Sequence, residues 1–282
     1  MLNALTIDVE DYFQVTAFEH AVDRHNWTTM ETRIERNCET ILSILEDYKV
    51  KATFFVLGWI AERYPILIRT IFNEGHEIAS HGFDHRSVLN QSRDAFKEDI
   101  IKTKALLEDI TGSRVKGYRA PSFSINSASL WALDILYEYG HSYDSSIFPI
   151  IKHDRHELAS SHRFPYLIEL NHKGKIREFP PSTIKFLGLN MPIAGGGYLR
   201  LFPLSLVERG IRKINDREKQ PAIIYIHPWE LDPEQPRIPA NMLSRFRHYV
   251  NLDTTEKKLH SLMSHFKFTT LSKLSVQLFS EA

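Results

Sequence analysis

Short apolar runs alternate with segments of helical periodicity along the first half of this chain. The runs are rich in β-branched and aromatic residues, whereas the longer segments repeat apolar residues every three or four positions. This alternation indicates an α/β fold with parallel strands and right-handed crossovers, and the pattern alone does not decide whether the sheet closes. We predict strands at 4–7, 52–57, 76–80, 117–119 and 141–144, and helices at 32–48, 61–73, 94–110 and 128–139.

The pattern changes between residues 157 and 202. Three strand-like runs there, at 166–170, 174–179 and 182–186, are separated by turn-forming residues, which predicts an antiparallel insertion. The stretch ends in three consecutive glycines at 195–197. Glycine adopts positive φ freely, so this loop either brings the backbone close to a ligand or is simply flexible.

The β-α pattern then resumes, with a buried strand predicted at 222–226 and a helix at 254–266. Neither repeats nor low-complexity linkers mark a second independent domain. We therefore predict a single domain over residues 1–282, with 157–202 as an insertion and 228–282 as a C-terminal extension packed on it.

The composition limits the kinds of binding partner that we expect for this chain. Lys and Arg together number 35, as do Asp and Glu, so the formal net charge is zero. Bulk charge therefore does not attract a nucleic acid or an anionic membrane. The single cysteine, Cys38, excludes an intrachain disulfide. No basic leader and no apolar run of about 20 residues is visible, so we expect a soluble, cytoplasmic protein without a membrane span.

An acidic cluster, Asp8, Glu10 and Asp11, directly follows the first predicted strand, and a histidine pair, His81 and His85, follows the third. Carboxylates and imidazoles at the ends of neighbouring strands are the components of a mononuclear hydrolytic metal centre. The alternative is a solvated acidic turn and two surface histidines, because an HxxxH pair alone is a weak signal.

Polar residues follow predicted strands repeatedly. In parallel α/β folds the carboxyl ends of the strands form the active-site face. An acid, a base, a cation and metal-ligand types all occur at such positions here, which chance explains poorly. These residues are Asp8, His81, Arg119, Asp144 and His227.

The five segments that contain these residues resemble, in their order along the chain, the five motifs of the polysaccharide deacetylases. These enzymes are also called the family 4 carbohydrate esterases. The resemblance implies a metal-dependent N- or O-deacetylase on a distorted (β/α) barrel of about seven parallel strands. A closer similarity, in residues 8–13, 117–124 and 195–200, is to a subgroup associated with bacterial exopolysaccharide clusters. The five motif segments are 6–11, 80–85, 119–121, 144–149 and 224–227.

The resemblance also implies roles for single residues. Asp8 would be the general base, and Arg119 would pair with it and keep it ionised. His227 would be the general acid, oriented by Asp144. The backbone N–H near Ser122 would stabilise the oxyanion together with the metal. Six residues are candidates for substrate binding, although aromatic residues more often belong to the core: Pro121, Ser122, Gly196, Tyr198, Arg200 and Trp229.

The first motif departs from the family pattern. The family's metal carboxylate immediately follows the base, where this chain has Val9, which cannot ligate a metal. Because side chains alternate along a strand, Asp8 and Glu10 share a face, and Glu10 is the preferred ligand. Asp11 is the alternative if the strand turns early. Ser122 also stands where the family usually has tyrosine, which leaves the acceptor sugar open.

The implied cofactor is one divalent metal ion. Two histidines and one carboxylate accept zinc, our first expectation, and also cobalt, nickel or manganese. Three further histidines, His153, His156 and His162, lie in a polar loop that follows no predicted strand, so we do not expect them to form a metal site.

The predicted function is removal of acetyl groups, N-acetyl in the first instance, from a bacterial polysaccharide or its oligosaccharide precursor. One alternative is a small-molecule amidohydrolase on the same scaffold. The other is a non-catalytic carbohydrate-binding protein, which retention of both Asp8 and His227 disfavours. The sequence does not predict the oligomeric state.

Overall fold

Nine strands form one sheet within the residues described by the computed structural model, which are 1–150, 162–171 and 174–280. Along the sheet the order is β10-β1-β2-β3-β4-β5-β7-β6, and β11 also pairs with β1. Every pair is parallel except β6 with β7. The strands are β1 (Leu2–Val9), β2 (Thr53–Val56), β3 (Glu77–Ser80), β4 (Gly117–Tyr118), β5 (Tyr143–Asp144), β6 (Tyr166–Leu170), β7 (Gly174–Glu178), β8 (Thr183–Phe186), β9 (Leu189–Pro192), β10 (Ile223–Ile226) and β11 (Lys267–Thr269).

Helices cover this sheet, so the predicted α/β class is confirmed. The helix predicted at 61–73 is two helices, because Pro65 removes a backbone donor and starts a new helix as its first residue. The helices are α1 (Ile34–Asp47), α2 (Gly58–Arg63), α3 (Pro65–Asn73), α4 (Arg93–Thr111), α5 (Trp131–Glu138), α6 (Gly196–Leu201), α7 (Leu204–Arg212), α8 (Met242–Tyr249), α9 (Thr255–His265) and α10 (Leu271–Phe279).

The predicted insertion is partly a component of the main sheet. β7 pairs in parallel with β5 and so extends the sheet, while β6 adds an antiparallel edge. β8 and β9 form a separate antiparallel pair. The chain after β7 then crosses to β10, where the backbone N–H of Ser182 donates to the carbonyl oxygen of Ile223 at 3.1 Å. An irregular segment thus joins the two sides of the sheet, consistent with a distorted barrel.

Strand register explains why distant motifs meet. Val9 lies opposite Val56, Val56 opposite Ser80, Ser80 opposite Tyr118, and Tyr118 opposite Asp144. The residue after each strand therefore emerges at one edge of the sheet, which is the active-site edge of parallel α/β folds. No helix among the described residues is long and apolar enough to cross a bilayer.

Candidate active site

A buried ion pair lies at the centre of this edge. Arg119 donates from Nη1 to Oδ1 of Asp8 at 2.6 Å and to Oγ1 of Thr6 at 2.7 Å. Its other nitrogens donate to the carbonyl oxygen and the hydroxyl of Ser145, at 3.1 and 2.8 Å. The guanidinium has no exposed surface, and its centre lies 4.2 Å from the ring centroid of Phe55. Arg119 thus holds Asp8 in one orientation, the contact that the resemblance implies.

Glu10, His81 and His85 form a compact cluster of possible metal ligands. One ligand atom from each lies within 4.8 Å of the other two, and all three residues are buried. His85 Nε2 is 2.8 Å from Oε2 of Glu10. His81 donates from Nδ1 to the carbonyl oxygen of Arg119 at 2.8 Å, which leaves Nε2 as its ligand atom. Two imidazoles and one carboxylate suit a divalent transition metal, so the residues fit the implied cofactor.

Charge and backbone strain both distinguish this cluster. Burial lowers the pKa of His81 to about 3, so the ring is neutral, as a ligand must be. Burial raises the pKa of Glu10, but the imidazoles of His85, His227 and His81 outweigh it and hold that pKa below its usual value. His85 has φ of +56°, a left-handed conformation that histidine adopts uncommonly and that often marks functional sites.

Asp11 lies outside the cluster and has a structural role. Its Oδ2 accepts the backbone N–H of Arg33 at 2.7 Å, and Oδ1 accepts that of Tyr12 at 2.9 Å. These bonds connect the end of β1 to the start of α1, and burial raises the pKa of Asp11 to about 6. Of the two predicted carboxylates, only Glu10 points at the histidines.

His227 sits beside both acidic groups. Its Nε2 lies 3.4 Å from Oε1 of Glu10 and 3.8 Å from Oδ2 of Asp8, while Nδ1 lies 3.1 Å from Oε2 of Glu230. Burial lowers the pKa of His227, but the carboxylates of Glu230, Glu10 and Asp8 outweigh it and raise that pKa to about 9. The imidazole is therefore a proton donor adjacent to the predicted base.

Asp144 does not contact His227, contrary to our expectation. Its Oδ1 accepts the hydroxyl of Ser146 at 2.5 Å, and it hydrogen-bonds Glu178, its neighbour on β7. Burial raises the pKa of both carboxyls and holds that of Glu178 well above its usual value. The raised pKa favours the neutral form of Glu178 beside Asp144. The pair is a buried link between strands, and the residue beside His227 is Glu230.

Two predicted substrate residues are buried instead. Arg200 is 2% exposed and donates from Nε to Oε1 of Glu230 at 2.7 Å. Trp229 is 4% exposed, and its indole lies between the rings of His227 and His248, with centroid separations of 5.1 and 4.0 Å. Its Nε1 donates to Oε1 of Glu10 at 3.4 Å. The prediction that these side chains line a sugar groove is wrong, because both support the site from within.

The segment with three consecutive glycines, 195–197, packs against Tyr225. Gly195 has φ of +152°, and a Cβ there would overlap the carbonyl oxygen of Tyr225. Gly196 has φ of +53° and lies against the Tyr225 ring, so close packing accounts for both glycines. Tyr198, which follows, is half-buried, and its ring centroid lies 6.4 Å from that of Phe148.

Pro121 and Ser122 begin a tight turn after β4. Ser122 has φ of +56° and Phe123 φ of +53°, an uncommon pair of left-handed residues without glycine. The Ser122 hydroxyl lies 2.5 Å from that of Thr16. A cavity of about 610 Å³ adjoins this turn and is lined by Thr16, Ser122 and Arg247, among others.

Sequence reasoning missed Glu230 and Glu178. Glu230 lies three residues after His227 within the turn Pro228–Leu231, a spacing that could have indicated an acidic partner. Glu178 is the penultimate residue of the predicted strand 174–179, where an acidic residue could have been noticed. Of the histidines predicted not to ligate, His153 and His156 lie outside the described residues. His162 stacks on Tyr166.

Two family models match this chain in succession. Residues 20–141 match a model described as polysaccharide deacetylase, and residues 145–276 match one described as a domain of unknown function, DUF3473. Asp8 and Glu10 precede the first match, and His227 and Glu230 lie within the second. Residues from both segments and from the N-terminal strand and the residues just after it therefore meet at one site.

Curated relatives match over a short stretch. The chain is 38% identical over 95 residues to a peptidoglycan-N-acetylglucosamine deacetylase from Bacillus cereus, covering 33% of this chain and 34% of that protein. It is 26% identical over 107 residues to a peptidoglycan deacetylase from Helicobacter pylori, covering 38% and 36%. The chain thus spans about a third of the length of these relatives.

Solved structures resemble the whole chain. A structure from Mycobacterium smegmatis, assigned provisionally as a polysaccharide deacetylase, has a TM-score of 0.65 at 21% identity and covers 99% of this chain and 90% of its own. A CE4 family pseudoenzyme from Bacillus anthracis has a TM-score of 0.50 at 16% identity, covering 97% and 64%. These similarities concern the fold alone, and a pseudoenzyme shares it.

Proposed function

We propose that this chain, whose residues 20–141 match the polysaccharide deacetylase model, is a metal-dependent hydrolase that removes N-acetyl groups from a bacterial polysaccharide or its oligosaccharide precursor. One observation carries this proposal: the ligand cluster Glu10, His81 and His85 lies beside Asp8 and His227 at a single sheet edge. An amide is a poor electrophile, and its hydrolysis needs this combination of metal ligands, base and acid.

The cluster would hold a divalent ion, with zinc as the first choice. When bound, the ion would polarise the acetyl carbonyl and lower the pKa of a coordinated water. Asp8 accepts the proton of the attacking water. Arg119 occupies Oδ1 of Asp8, so Oδ2, the oxygen that faces His227, is the one available for that proton.

His227 donates a proton from Nε2 to the nitrogen of the departing amine. Its Nδ1 is held by Glu230, so Nε2 is the ring atom that faces the reaction. A backbone N–H near Ser122 would bind the oxyanion, because such donors act where charge develops. That of Phe123 already donates to the carbonyl oxygen of Ala120 at 3.0 Å. The base thus lies on β1 and the acid directly follows β10, and the two flank the position proposed for the acetyl group.

A sugar would bind in the cavity beside Ser122. Its volume of about 610 Å³ is ample for a sugar residue, and its lining residues include Thr16, Asn241 and Arg247. Beyond Ser122, the partly exposed rings of Phe123 and Phe148 pack edge to face with a centroid distance of 5.1 Å. We propose this cavity and its aromatic edge as the groove, in place of Arg200 and Trp229.

Both matched segments belong to one catalytic unit in this proposal. The first supplies His81 and His85, and the second supplies His227 with Glu230. Neither segment alone carries both the metal ligands and the acid. The proposal therefore treats the chain as a single catalytic domain.

Acetate release tests the proposal. The metal-loaded protein should release acetate from N-acetylated oligosaccharides and should not open small cyclic amides. Ring opening without acetate release would favour a small-molecule amidohydrolase. Oligosaccharide binding without turnover would favour the non-catalytic alternative.

A further inference from the structure

A network of buried residues holds His227 in place, and the family resemblance does not describe it. Glu230 Oε2 accepts the backbone N–H of His227 at 3.0 Å and lies 3.1 Å from its Nδ1. Glu230 is fully buried. One carboxylate oxygen therefore fixes both the main chain and the ring of the same histidine, and the Nδ1 hydrogen is directed to it.

Arg200 fixes Glu230 in turn. Its Nε donates to the second carboxylate oxygen, Oε1, at 2.7 Å. The two Nη atoms donate to the carbonyl oxygens of Arg247, His248 and Val250, at distances of 2.5 to 3.1 Å. These carbonyls lie at the C-terminal end of α8, so a helix end and a buried guanidinium hold the carboxylate in place.

Trp229 fixes the plane of the imidazole. Its ring is nearly parallel to that of His227, with an interplanar angle of 22°, and stacks on His248 at 15°. His248 lies 2.7 Å, through Nε2, from Oε1 of Gln235, whose amide donates to the carbonyl oxygen of Trp229 at 2.7 Å. Stacking sets the ring plane, and Glu230 sets the rotation within that plane.

Asp144 is not available for this role. Its oxygens accept the hydroxyl and backbone N–H of Ser146, at 2.5 and 3.2 Å, and its carboxyl lies beside that of Glu178 on β7. Its position in the sheet is fixed by β4 on one side and β7 on the other. A proton donor at His227 therefore needs another orienting acid.

We infer that Glu230, held by Arg200, is the positioning residue of the proton donor His227, and that the DUF3473 segment supplies both the acid and its support. This inference rests on the proposed deacetylase function. Glu230 keeps the Nδ1–H directed inward, so that Nε2 presents its hydrogen to the leaving nitrogen. Among the described residues its polar partners are His227 and Arg200, and none of the three candidate metal ligands, so it acts on the reaction through His227.

A spectroscopic measurement tests the placement independently of turnover. A carboxylate that accepts an imidazole N–H shifts that proton strongly downfield in an NMR spectrum. The full-length protein should show such a resonance, assigned through its loss in His227→Asn. It should persist in Asp144→Asn and disappear in Glu230→Gln. Persistence in Glu230→Gln, or loss in Asp144→Asn alone, would overturn the inference.

Kinetics test whether the placement serves proton donation. Glu230→Gln should lower kcat for N-acetylated oligosaccharide by about 10- to 100-fold, as loss of an orienting partner does, with KM little changed. Hydrolysis of 4-nitrophenyl acetate should stay within about twofold, because its leaving group needs no proton. Glu230→Asp, which keeps the carboxylate, should recover part of the lost rate.

The matched control is Glu208→Gln. Glu208 also pairs with a histidine, His265, at 2.7 Å, but on the surface and away from the site, so kcat should not change. Thermal unfolding of every variant separates misfolding from misplacement. Equal loss on amide and aryl ester by folded Glu230→Gln would show a merely structural role and refute the inference. If wild type releases no acetate, the proposed function fails, and the NMR result still decides the placement of His227.

Discussion

The carboxylate of Asp8 and the guanidinium of Arg119 form an ion pair with an Nη1–Oδ1 distance of 2.6 Å and almost no exposure to solvent. Taking two charges out of water is costly, and the pair persists because Arg119 also satisfies Thr6 and Ser145. The predicted base is thereby rigid, and its free oxygen points toward His227.

Breaking this pair should destabilise the fold. Arg119→Met would leave Asp8 buried without a partner, and we expect a loss of about 3–5 kcal/mol in the free energy of unfolding. Chemical denaturation measures the loss. Arg212→Ala, which removes an exposed pair with Glu208, should cost only about 0–1 kcal/mol. Equal losses in the two variants would show that the buried pair stabilises the fold no more than an exposed pair does.

Metal content should distinguish the two neighbouring carboxylates. Glu10→Ala, His81→Ala and His85→Ala should each lose the ion on dialysis, because each removes one of three protein ligands. Asp11→Asn should keep the ion and lose stability, because Asp11 joins β1 to α1. Elemental analysis of the dialysed proteins decides the matter. A metal-free Asp11→Asn variant with metal-bound Glu10→Ala would reverse the assignment.

Acid should destabilise the protein partly through His76. Burial lowers the pKa of His76 to about 4, and the nearby charge of Lys51 lowers it further. Glu74 lies 3.9 Å from its Nε2. Because the folded pKa lies below the unfolded value, stability is full above about pH 6.5 and falls as the pH drops from there through about 4. His76→Asn, whose Oδ1 can accept the backbone N–H of Ala52, should lose less stability across this window.

Urea unfolding at about pH 7, 5.5 and 4.5 checks this expectation. His141, whose pKa burial lowers to about 3, stays in the variant as a second acid-sensitive group, so part of the decline should remain. If the stability of His76→Asn fell with pH as steeply as that of the wild type, His76 would not contribute to the acid sensitivity.

Much of the site follows from strand position. Asp8, Glu10, His81 and Arg119 come just before or after the ends of strands whose apolar runs are visible in the sequence, and parallel register brings them to one edge. Alternation along β1 is enough to favour Glu10 over Asp11. The cytoplasmic location stays a prediction.

The supporting residues could not be placed in the same way. Arg200 and Glu230 are 30 residues apart and meet in the folded chain, where Arg200 also donates to carbonyl oxygens at the end of α8. Met242 of α8 is 86% exposed, so the apolar residues of this helix do not mark a buried face. Trp229 carries no sign in the sequence that its ring lies between two histidines. Such contacts depend on tertiary packing rather than on periodicity.

The most direct test of the central claim is acetate release by Asp8→Asn, measured beside wild type on one N-acetylated oligosaccharide with metal content determined for both. Asn keeps the shape of the side chain but cannot accept the proton of water. Metal occupancy should be equal, and kcat should fall by about 10²–10⁴-fold. Near-normal acetate release by metal-bound Asp8→Asn would contradict the mechanism, as would a wild-type protein that binds metal and releases none.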